Sequence, residues 1–160
     1  MTELALPKIH KKTLDKKDYI FKSLAKLINP EHVLSHKDEI KPYETDGLSA
    51  YKQTPLAVVM PENTKEVSSI LKFCYEENIK VVPRGAGTGL SGGALPLQDA
   101  VLLSLGKFNK ILDIDFENKC VVTQPGVTNL GLTHAVQHKG FYYAPDPSSQ
   151  LACSIGGNVA

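Results

Sequence analysis

The sequence predicts a soluble domain of mixed helices and strands, and three observations support this. Its 160 residues, 42% of them hydrophobic and 22% charged, suit one domain with a buried core. Strand and helix periodicities alternate between residues 56 and 83, which is typical of a βαβ unit. A glycine-rich loop, "RGAGTGLSGG" at residues 84–93, follows that unit directly. The loop is therefore the first candidate for a binding feature.

The charge and the cysteines exclude several classes of protein. Lysines are spread along a chain of formal net charge +1, so we expect no nucleic-acid interface and no polybasic membrane patch. Cys74, Cys120 and Cys153 are odd in number and far apart, which argues against a disulfide framework, an iron–sulfur cluster or a structural zinc site. Neither an export signal nor a run of about 18 apolar residues is present. We expect a cytoplasmic protein without a membrane span, and a small molecule as its partner.

The first predicted element is an amphipathic helix near the N-terminus. Asn29-Pro30 ends its pattern, and the apolar residues that recur at helical spacing are Tyr19, Ile20, Leu24, Leu27 and Ile28. Residues 31–54 are polar, contain Pro42 and Gly47, and show no sustained period. We interpret them as an ordered arm or connection.

The βαβ unit comes next. "LAVVM" (56–60) is a buried type of strand, and either Asn63 or Thr64 is in place to cap a helix after Pro61. "IKVVP" (79–83) is the second strand, since parallel strands require such a crossover. The predicted apolar face of the helix comprises Val67, Ile70, Leu71, Cys74 and Tyr75.

Three further strands and a helix are predicted after the glycine loop. "VLLSL" (101–105), "KILDID" (110–115) and "KCVVTQPG" (119–126) are candidates for antiparallel pairing, and a hairpin at residues 116–118 joins the last two. Either Thr128 or Asn129 caps a helix that runs to about Lys139 and ends at Gly140.

The glycine loop fits G-x-G-x-x-G at residues 87–92, yet the Rossmann interpretation fails. That motif needs a helix to open at its last glycine, because the pyrophosphate rests on the N-terminus of that helix. Here the next strand begins at about Val101, which leaves no room for the helix. A P-loop is excluded too, since no Gly-Lys-Ser/Thr closes the segment. Two interpretations stay open on the residues alone: a backbone nest that binds phosphate, with Thr88 and Ser91 as hydroxyl donors, or a turn that binds nothing.

Three segments, in order, resemble a known family. They are "VVPRGAGTGLSGGALP" (81–96), "VVTQPGVT" (121–128) and "YYAPDPSSQLACSIGGNVA" (142–160). From about Pro42 onward the chain resembles the FAD-linked oxidases of the vanillyl-alcohol oxidase and p-cresol methylhydroxylase type, which include the glycolate oxidase flavin subunit and the D-lactate and D-2-hydroxyglutarate dehydrogenases. The resemblance implies the α+β FAD-binding domain of the p-cresol methylhydroxylase type, with its first subdomain and the start of its second. We therefore expect a helical arm at residues 1–41 and an FAD-binding domain at residues 42–160 that is incomplete at its C-terminal side.

The resemblance also implies which residues contact FAD. The first segment would hold the diphosphate, and the second would lie along the adenosine half. In the third segment, Pro145 to Ser149 would lie near the ribityl chain and the flavin ring, and Ser154 to Asn158 would contact the cofactor again. The residues so implied are Pro83, Arg84, Gly85, Ala86, Gly87, Thr88, Gly89, Leu90, Ser91, Gly92 and Gly93 in the first segment, Gln124, Pro125 and Gly126 in the second, and Pro145, Asp146, Pro147, Ser148, Ser149, Ser154, Ile155, Gly156, Gly157 and Asn158 in the third.

Two departures from the family pattern carry information. Relatives that attach FAD covalently through this loop carry a histidine a few residues after its first glycine, where this chain has Thr88 or a glycine, so we expect non-covalent FAD. The chain also stops at Ala160, whereas the family's cap domain, catalytic base and a histidine-rich segment that resembles a metal and substrate site come later. The catalytic residues are therefore unknown, and we expect no metal site in this chain.

The resemblance implies that the chain is the N-terminal FAD-binding segment of a flavin-dependent 2-hydroxy-acid oxidoreductase, which transfers a hydride from the substrate Cα to FAD. Its partners would be a small 2-hydroxy acid, an electron acceptor (a quinone or a partner subunit) and the rest of the enzyme. We expect this segment alone to be inactive, and the enzyme to be cytoplasmic or peripheral at the inner membrane through partner subunits. The alternative is a catalytically inactive fragment or an interaction module that keeps part of the fold.

Three other candidate residues or pairs have simpler interpretations beside the functional ones. His134 and His138 have an i, i+4 spacing that can ligate zinc, but no third ligand is near them, so solvated or packed histidines are favoured. For Cys153, a buried structural thiol is favoured over one that approaches the flavin. Asp146 either orients flavin or substrate or forms an Asx-turn.

Overall fold

The computed structural model describes residues 7–160 and contains two sheets with short helices around them. The first sheet and its helices comprise α1 (Lys11–Asp15), α2 (Lys17–Leu27), β1 (Val33–Leu34), α3 (Lys37–Ile40), β2 (Ala57–Val59), α4 (Thr64–Glu76), β3 (Lys80–Arg84) and β4 (Ala100–Ser104). The second part comprises β5 (Ile111–Asp115), β6 (Cys120–Thr123), α5 (Asn129–Val136) and α6 (Ile155–Val159).

The first sheet has the strand order β1-β2-β4-β3. The predicted βαβ unit is present, because β2 and β3 are parallel strands joined by α4, but β4 lies between them. The prediction that residues 101–105 pair antiparallel is wrong, since β4 is parallel to both neighbours. All five residues of β4 are buried, as is typical of a central parallel strand that is covered on both faces.

The two faces of this sheet are covered by different helices. On one face, Val101 and Leu103 belong to a core with Ile20 of α2 and Ile70 of α4. On the other face, Leu102 belongs to a smaller cluster that includes Ile40 of α3 and Val58 of β2. The alternation follows the two-residue period of a strand.

Helix α4 is capped by Asn63, whose side chain accepts a 3.0 Å hydrogen bond from the backbone N–H of Glu66. Its predicted apolar face is too wide, because Leu71 and Tyr75 are exposed. Ile70 and Cys74, four residues apart, are buried against the sheet. Leu71 and Tyr75 each come one residue later, and because an α-helix turns by about 100° per residue, their side chains point away from the sheet. Burial raises the pKa of the Cys74 thiol to about 11, so this cysteine is a protonated core residue at neutral pH.

The N-terminal arm is attached to the first sheet by a buried carboxylate. Asp99 is 2% exposed, and its Oδ2 accepts hydrogen bonds from Lys80 Nζ at 2.8 Å and from the backbone N–H of His10 at 2.7 Å. Burial alone would raise the pKa of Asp99, but the hydrogen bonds from Lys80 and His10 hold it below its ordinary value. Asp99 is therefore an anion that links α1 to the sheet edge.

The second part begins with the predicted hairpin. β5 and β6 pair antiparallel, and the backbone N–H of Asn118 donates to Asp115 Oδ1 in the turn between them. Helix α5 is capped by Thr128, and a 3₁₀ turn continues it to Lys139. Gly140 then adopts a left-handed conformation with φ 77°, which is the C′ position predicted for it.

Candidate cofactor-binding site

The glycine loop leaves the carboxyl end of β3 and contains no helix before β4 begins. This absence excludes the Rossmann interpretation on structural grounds, because that motif needs a helix to begin at the last glycine of the loop. Gly87 and Gly92 have φ values of 74° and 75°, a conformation that other residues rarely adopt. Glycine is therefore required at these two positions by the backbone itself.

The backbone of the loop presents a row of unpaired donors. Across residues 7–160, the N–H groups of Gly85 to Gly93 donate no hydrogen bond to a protein acceptor. Two of its glycines, Gly89 and Gly93, have open space where a Cβ would stand. Consecutive unpaired N–H groups next to open space form the kind of concavity that binds an anion such as a phosphate.

The third sequence segment pairs with the second and thereby comes beside the loop. Ser154 and Thr128 form an antiparallel bridge, and the N–H groups of Ile155 and Gly156 donate to the carbonyls of Val127 and Pro125, both at 2.8 Å. A Cβ at Gly85 would overlap Ser154 Oγ. The first and third segments are therefore in contact, and glycine permits that contact.

A fully buried asparagine holds two parts of the third segment together. Asn129 Nδ2 donates 2.9 Å hydrogen bonds to the carbonyl of Pro145 and to Oδ1 of Asn158. The sequence marked Asn129 only as one of two possible helix caps. Its amide was missed because the contact joins residues 16 and 29 positions away in the chain.

These segments enclose an open cleft of about 660 Å³, which we call the loop cleft. The volume lies in the range of ligand pockets, about 300–1,000 Å³. Of the residues implied by the resemblance, those that line it are Pro83, Arg84, Gly85, Ala86, Gly87, Thr88, Gly89, Leu90, Ser91, Gly93, Pro125, Ser149, Ser154, Gly156, Gly157 and Asn158. Ala94, Leu105, Cys153 and Ala160 line it as well.

The other implied residues lie outside the cleft lining, namely Gly92, Gln124, Gly126, Pro145, Asp146, Pro147, Ser148 and Ile155. Gln124 Oε1 accepts from the backbone N–H of Lys110 at 2.7 Å, and a Cβ at Gly126 would overlap the carbonyl of Leu105. Ile155 is buried with Val127 in the core of the second part. These three residues have clear structural roles in the segment that carries the cleft.

Arg84 and Cys153 are the two ionisable side chains among the described residues of the cleft lining. Burial lowers the pKa of the Arg84 guanidinium, and the nearby Asp46 carboxylate and Tyr43 oppose this shift, so Arg84 stays a cation. Cys153 is buried, as favoured from the sequence, and its Sγ lies 3.5 Å from Asn158 Nδ2. No side chain positioned as a general base faces the cleft in residues 7–160.

The two histidines of α5 and the turn after it do not contribute to the loop cleft. His134 and His138 are exposed, and the His138 ring packs edge-on against Phe116 at a centroid distance of 5.8 Å. Within the described part of the chain, no group of three or more His, Cys, Asp or Glu side chains is arranged to hold a metal ion. No helix in that part is long and apolar enough to span a bilayer.

The comparison with protein families decides what this fold is. The family described as "FAD binding domain" matches residues 55–160, which include the glycine loop and the whole cleft lining. The chain belongs to the FAD binding domain family. The loop cleft fits that ligand class, because unpaired N–H groups and Cβ-free positions are what a diphosphate needs to approach a backbone closely.

Two relatives of this FAD binding domain are 2-hydroxy-acid enzymes by name. Glycolate oxidase subunit GlcD of Escherichia coli (strain K12) is 56% identical over 128 residues, which are 80% of this chain and 26% of the relative. D-lactate dehydrogenase of Anaerostipes hadrus is 40% identical over 136 residues, which are 84% of this chain and 28% of the relative. The chain thus spans about a quarter of the length of these relatives.

Two solved structures show the same fold. The 4-ethylphenol oxidase from Gulosibacter chungangensis superposes with a TM-score of 0.78 at 26% identity, over 96% of this chain and 30% of that one. p-Cresol methylhydroxylase superposes with a TM-score of 0.68 at 25% identity, over 82% of this chain and 26% of that one. The α+β FAD-binding fold of the p-cresol methylhydroxylase type, expected from the sequence, is confirmed.

Proposed function

We propose that this chain is the N-terminal FAD-binding segment of a flavin-dependent 2-hydroxy-acid oxidoreductase of the glycolate or D-lactate type. The family match and the names of the two relatives support the reaction class. The observation that carries the proposal is structural: the nine consecutive backbone N–H groups from Gly85 to Gly93 donate to no acceptor in residues 7–160, and all of these residues except Gly92 line an open cleft.

The first task of the segment is to bind the diphosphate of FAD. The unpaired N–H groups of the loop would donate to its oxygens, and the hydroxyls of Thr88 and Ser91, which also line the cleft, would add two donors. Gly89 and Gly93 leave space for the approach. Hydrogen bonds to an anion are stronger than those between neutral groups, so this row of donors supplies both affinity and position.

The second task is to orient the rest of the cofactor. The third segment lines the cleft with the polar side chains of Ser149, Ser154 and Asn158. Gly156 and Gly157 also line it and have no side chains, which leaves space for the cofactor. The resemblance places Ser149 near the ribityl chain and the flavin ring, and it implies that Ser154, Gly156, Gly157 and Asn158 also contact the cofactor. We propose that the adenosine half of FAD lies beside Gln124 and Gly126, and that the flavin lies beside the residues from Pro145 to Ser148.

When bound, FAD would accept the hydride that leaves the substrate Cα, as flavins do in such enzymes. The described cleft lining offers a cation and a thiol as ionisable groups, and neither is a suitable base for a hydroxy acid. We therefore place the catalytic base outside this chain, in the remainder of the enzyme. We further propose that the substrate is a small 2-hydroxy acid and that the electron acceptor is a quinone or a partner subunit. The enzyme would be cytoplasmic, or peripheral at the inner membrane through partner subunits.

The test uses the full-length enzyme that contains this chain. We expect the purified protein to show flavin absorbance, and anaerobic addition of glycolate, D-lactate or D-2-hydroxyglutarate to bleach it, because reduced flavin loses its visible band. L-lactate and a 2-keto acid serve as controls that should leave the spectrum unchanged. A colourless protein that binds no added FAD would instead favour the interaction module.

A further inference from the structure

Arg84 is the sole arginine of the chain, and its guanidinium faces the protein behind the glycine loop. Nη1 donates a 2.6 Å hydrogen bond to the carbonyl of Thr45 and lies 3.5 Å from the carbonyls of Tyr43 and Ala94. Its Cζ lies 5.6 Å from the centroid of the Tyr43 ring. The charge of Arg84 is therefore used to hold backbone carbonyls together.

The remaining nitrogens of the guanidinium are covered by the loop itself. A Cβ at Gly87 would overlap Arg84 Nη2 and would lie 2.7 Å from Nε. Gly87, at φ 74°, thus rests directly on the guanidinium group. The sequence resemblance leads us to expect that Arg84 contacts the diphosphate; in the structure its guanidinium lies between Gly87 and residues 43–45, which favours a role behind the loop.

The carboxylate of Asp46 forms a hydrogen bond at the other end of the glycine loop. Asp46 is 6% exposed, and its Oδ1 accepts from the backbone N–H of Leu48 at 2.9 Å. Its Oδ2 accepts from the backbone N–H of Ala94, the residue that follows the glycine loop, at 3.2 Å. Next to it, a Cβ at Gly47 would lie 2.7 Å from the carbonyl oxygens of Thr88 and Gly89.

The segment 43–48 therefore touches the loop at its start, its middle and its end. A loop with five glycines in ten residues has a large conformational entropy when it is free, and binding must overcome that cost. Contacts that order the loop before the ligand arrives reduce the cost and raise affinity.

We propose that Arg84 and Asp46 are positioning residues that hold the glycine loop in its ligand-binding conformation from behind, without contact to the diphosphate. This inference rests on the proposed function only for the identity of the ligand. The ordering of the loop is a property of the protein alone, so it can be tested with and without FAD.

The first experiment follows amide hydrogen exchange in the FAD-free full-length enzyme. The amides of Ala94 and Leu95, at the end of the loop, donate hydrogen bonds to Asp46 Oδ2 and to the carbonyl of Gly92. Arg84→Met, Arg84→Lys and Asp46→Asn should each speed exchange at these two amides by about tenfold or more, a loss of about 1.4 kcal/mol of local order. Exchange in α4 should not change, which separates loosening of the loop from global destabilisation. Lys65→Met, which removes an exposed charge at the start of α4, is the control. Unchanged exchange of Ala94 and Leu95 in all three variants would overturn the proposal whether or not the enzyme binds FAD.

The second experiment measures FAD affinity and separates positioning from direct contact. Lysine keeps the charge of Arg84 but not its planar fork of donors, so Arg84→Lys should bind FAD about as weakly as Arg84→Met. Arg84→Met and Asp46→Asn should be non-additive in a double-mutant cycle, because both release the same loop. Full rescue by lysine, or strict additivity, would contradict the proposal and favour a direct contact with phosphate.

A third variant protects the test against misfolding. Gly47→Ala keeps both charges and pushes segment 43–48 away from the carbonyls of Thr88 and Gly89. It should reproduce the faster loop exchange and the weaker FAD binding. If Gly47→Ala left both quantities at wild-type values, segment 43–48 would not position the loop.

Discussion

The side-chain amide of Asn129 donates a 2.9 Å hydrogen bond to Oδ1 of Asn158, and the same Nδ2 donates to the carbonyl of Pro145. Asn129 is fully buried at the first turn of α5, whereas Asn158 lines the loop cleft near the end of the chain. Asn158 in turn lies 3.5 Å from the sulfur of Cys153. One buried amide thus connects a helix to both ends of the third sequence segment.

We predict that Asn129→Leu destabilises the protein. The substitution removes the donor of both hydrogen bonds, and an intramolecular hydrogen bond contributes about 0.5–1.5 kcal/mol to stability. Urea unfolding of the full-length enzyme measures the change in the free energy of unfolding. Asn109→Leu, at an exposed position in the turn before β5, is the control and should change it by less than about 0.5 kcal/mol. Equal stability of the two variants would show that the amide contributes nothing.

Two glycines of the loop should respond differently to valine. Gly89→Val adds atoms in open space inside the loop cleft, so we expect unfolding stability to be preserved and FAD affinity to fall by about tenfold or more. Gly87→Val is strained by its φ of 74° and overlaps the Arg84 guanidinium, so it should lower both stability and affinity. Thermal unfolding without FAD and FAD titration measure the two quantities. Affinity of Gly89→Val within a factor of about two of the parent would place the diphosphate elsewhere.

The ion pair between Lys80 and Asp99 should make stability depend on pH. The folded protein lowers the pKa of Asp99, so this carboxylate stabilises the fold above its ordinary pKa of about 3.9 and loses that contribution as the pH falls through the lower folded value. Asp99→Asn should therefore cost on the order of 1–3 kcal/mol at neutral pH, and the difference from the parent should shrink below about pH 4. Glu117→Gln, in the exposed hairpin turn, is the control. A difference that stays constant from pH 7 to about pH 3 would contradict the assignment.

Non-covalent FAD is expected because the loop lacks a histidine. The cleft does contain Cys153, which is the nucleophilic side chain among its described lining residues. Acid precipitation of the full-length holoenzyme should leave the yellow colour in the supernatant, for the parent and for Cys153→Ser alike. Flavin that stays in the pellet of the parent but not of Cys153→Ser would reveal a thioether link through that residue.

Residues 1–160 alone should turn over no hydroxy acid and should bind FAD weakly. The loop cleft is open on one side, whereas ligand pockets typically bury about 70–90% of a ligand. The second part also carries an apolar cavity of about 380 Å³ with exposed side chains around it, including Tyr142 and Val159, so we expect the isolated chain to aggregate. The assay uses D-lactate, glycolate and D-2-hydroxyglutarate with FAD and a dye acceptor, first with the chain alone and then with the rest of the enzyme added. Turnover by the chain alone would show that a catalytic group has been overlooked in it.

The sequence predicts those structural elements that depend on a few residues close together in the chain. It predicts a helix cap at Asn63 or Thr64, a hairpin between β5 and β6 and a helix end at Gly140. The structure has all three, with Asn63 as the cap. Leu71 and Tyr75 were assigned to a buried face because hydrophobicity alone cannot tell how wide a stripe the sheet covers. The position of β4 between β2 and β3 was missed as well, since strand order is set by packing between distant segments.

The amino-acid sequence by itself determined the identity of the three motifs and the absence of a helix after the glycine loop, because both depend on residue types and spacing along the chain. Only the tertiary structure decided how the motifs meet. The third motif lies beside the glycine loop because Ser154 pairs with Thr128. Arg84 donates a hydrogen bond to the carbonyl of Thr45, which lies 39 residues earlier in the chain. Such contacts form only when the whole chain is folded, because the free energy of each hydrogen bond is small beside the entropy of closing so long a loop.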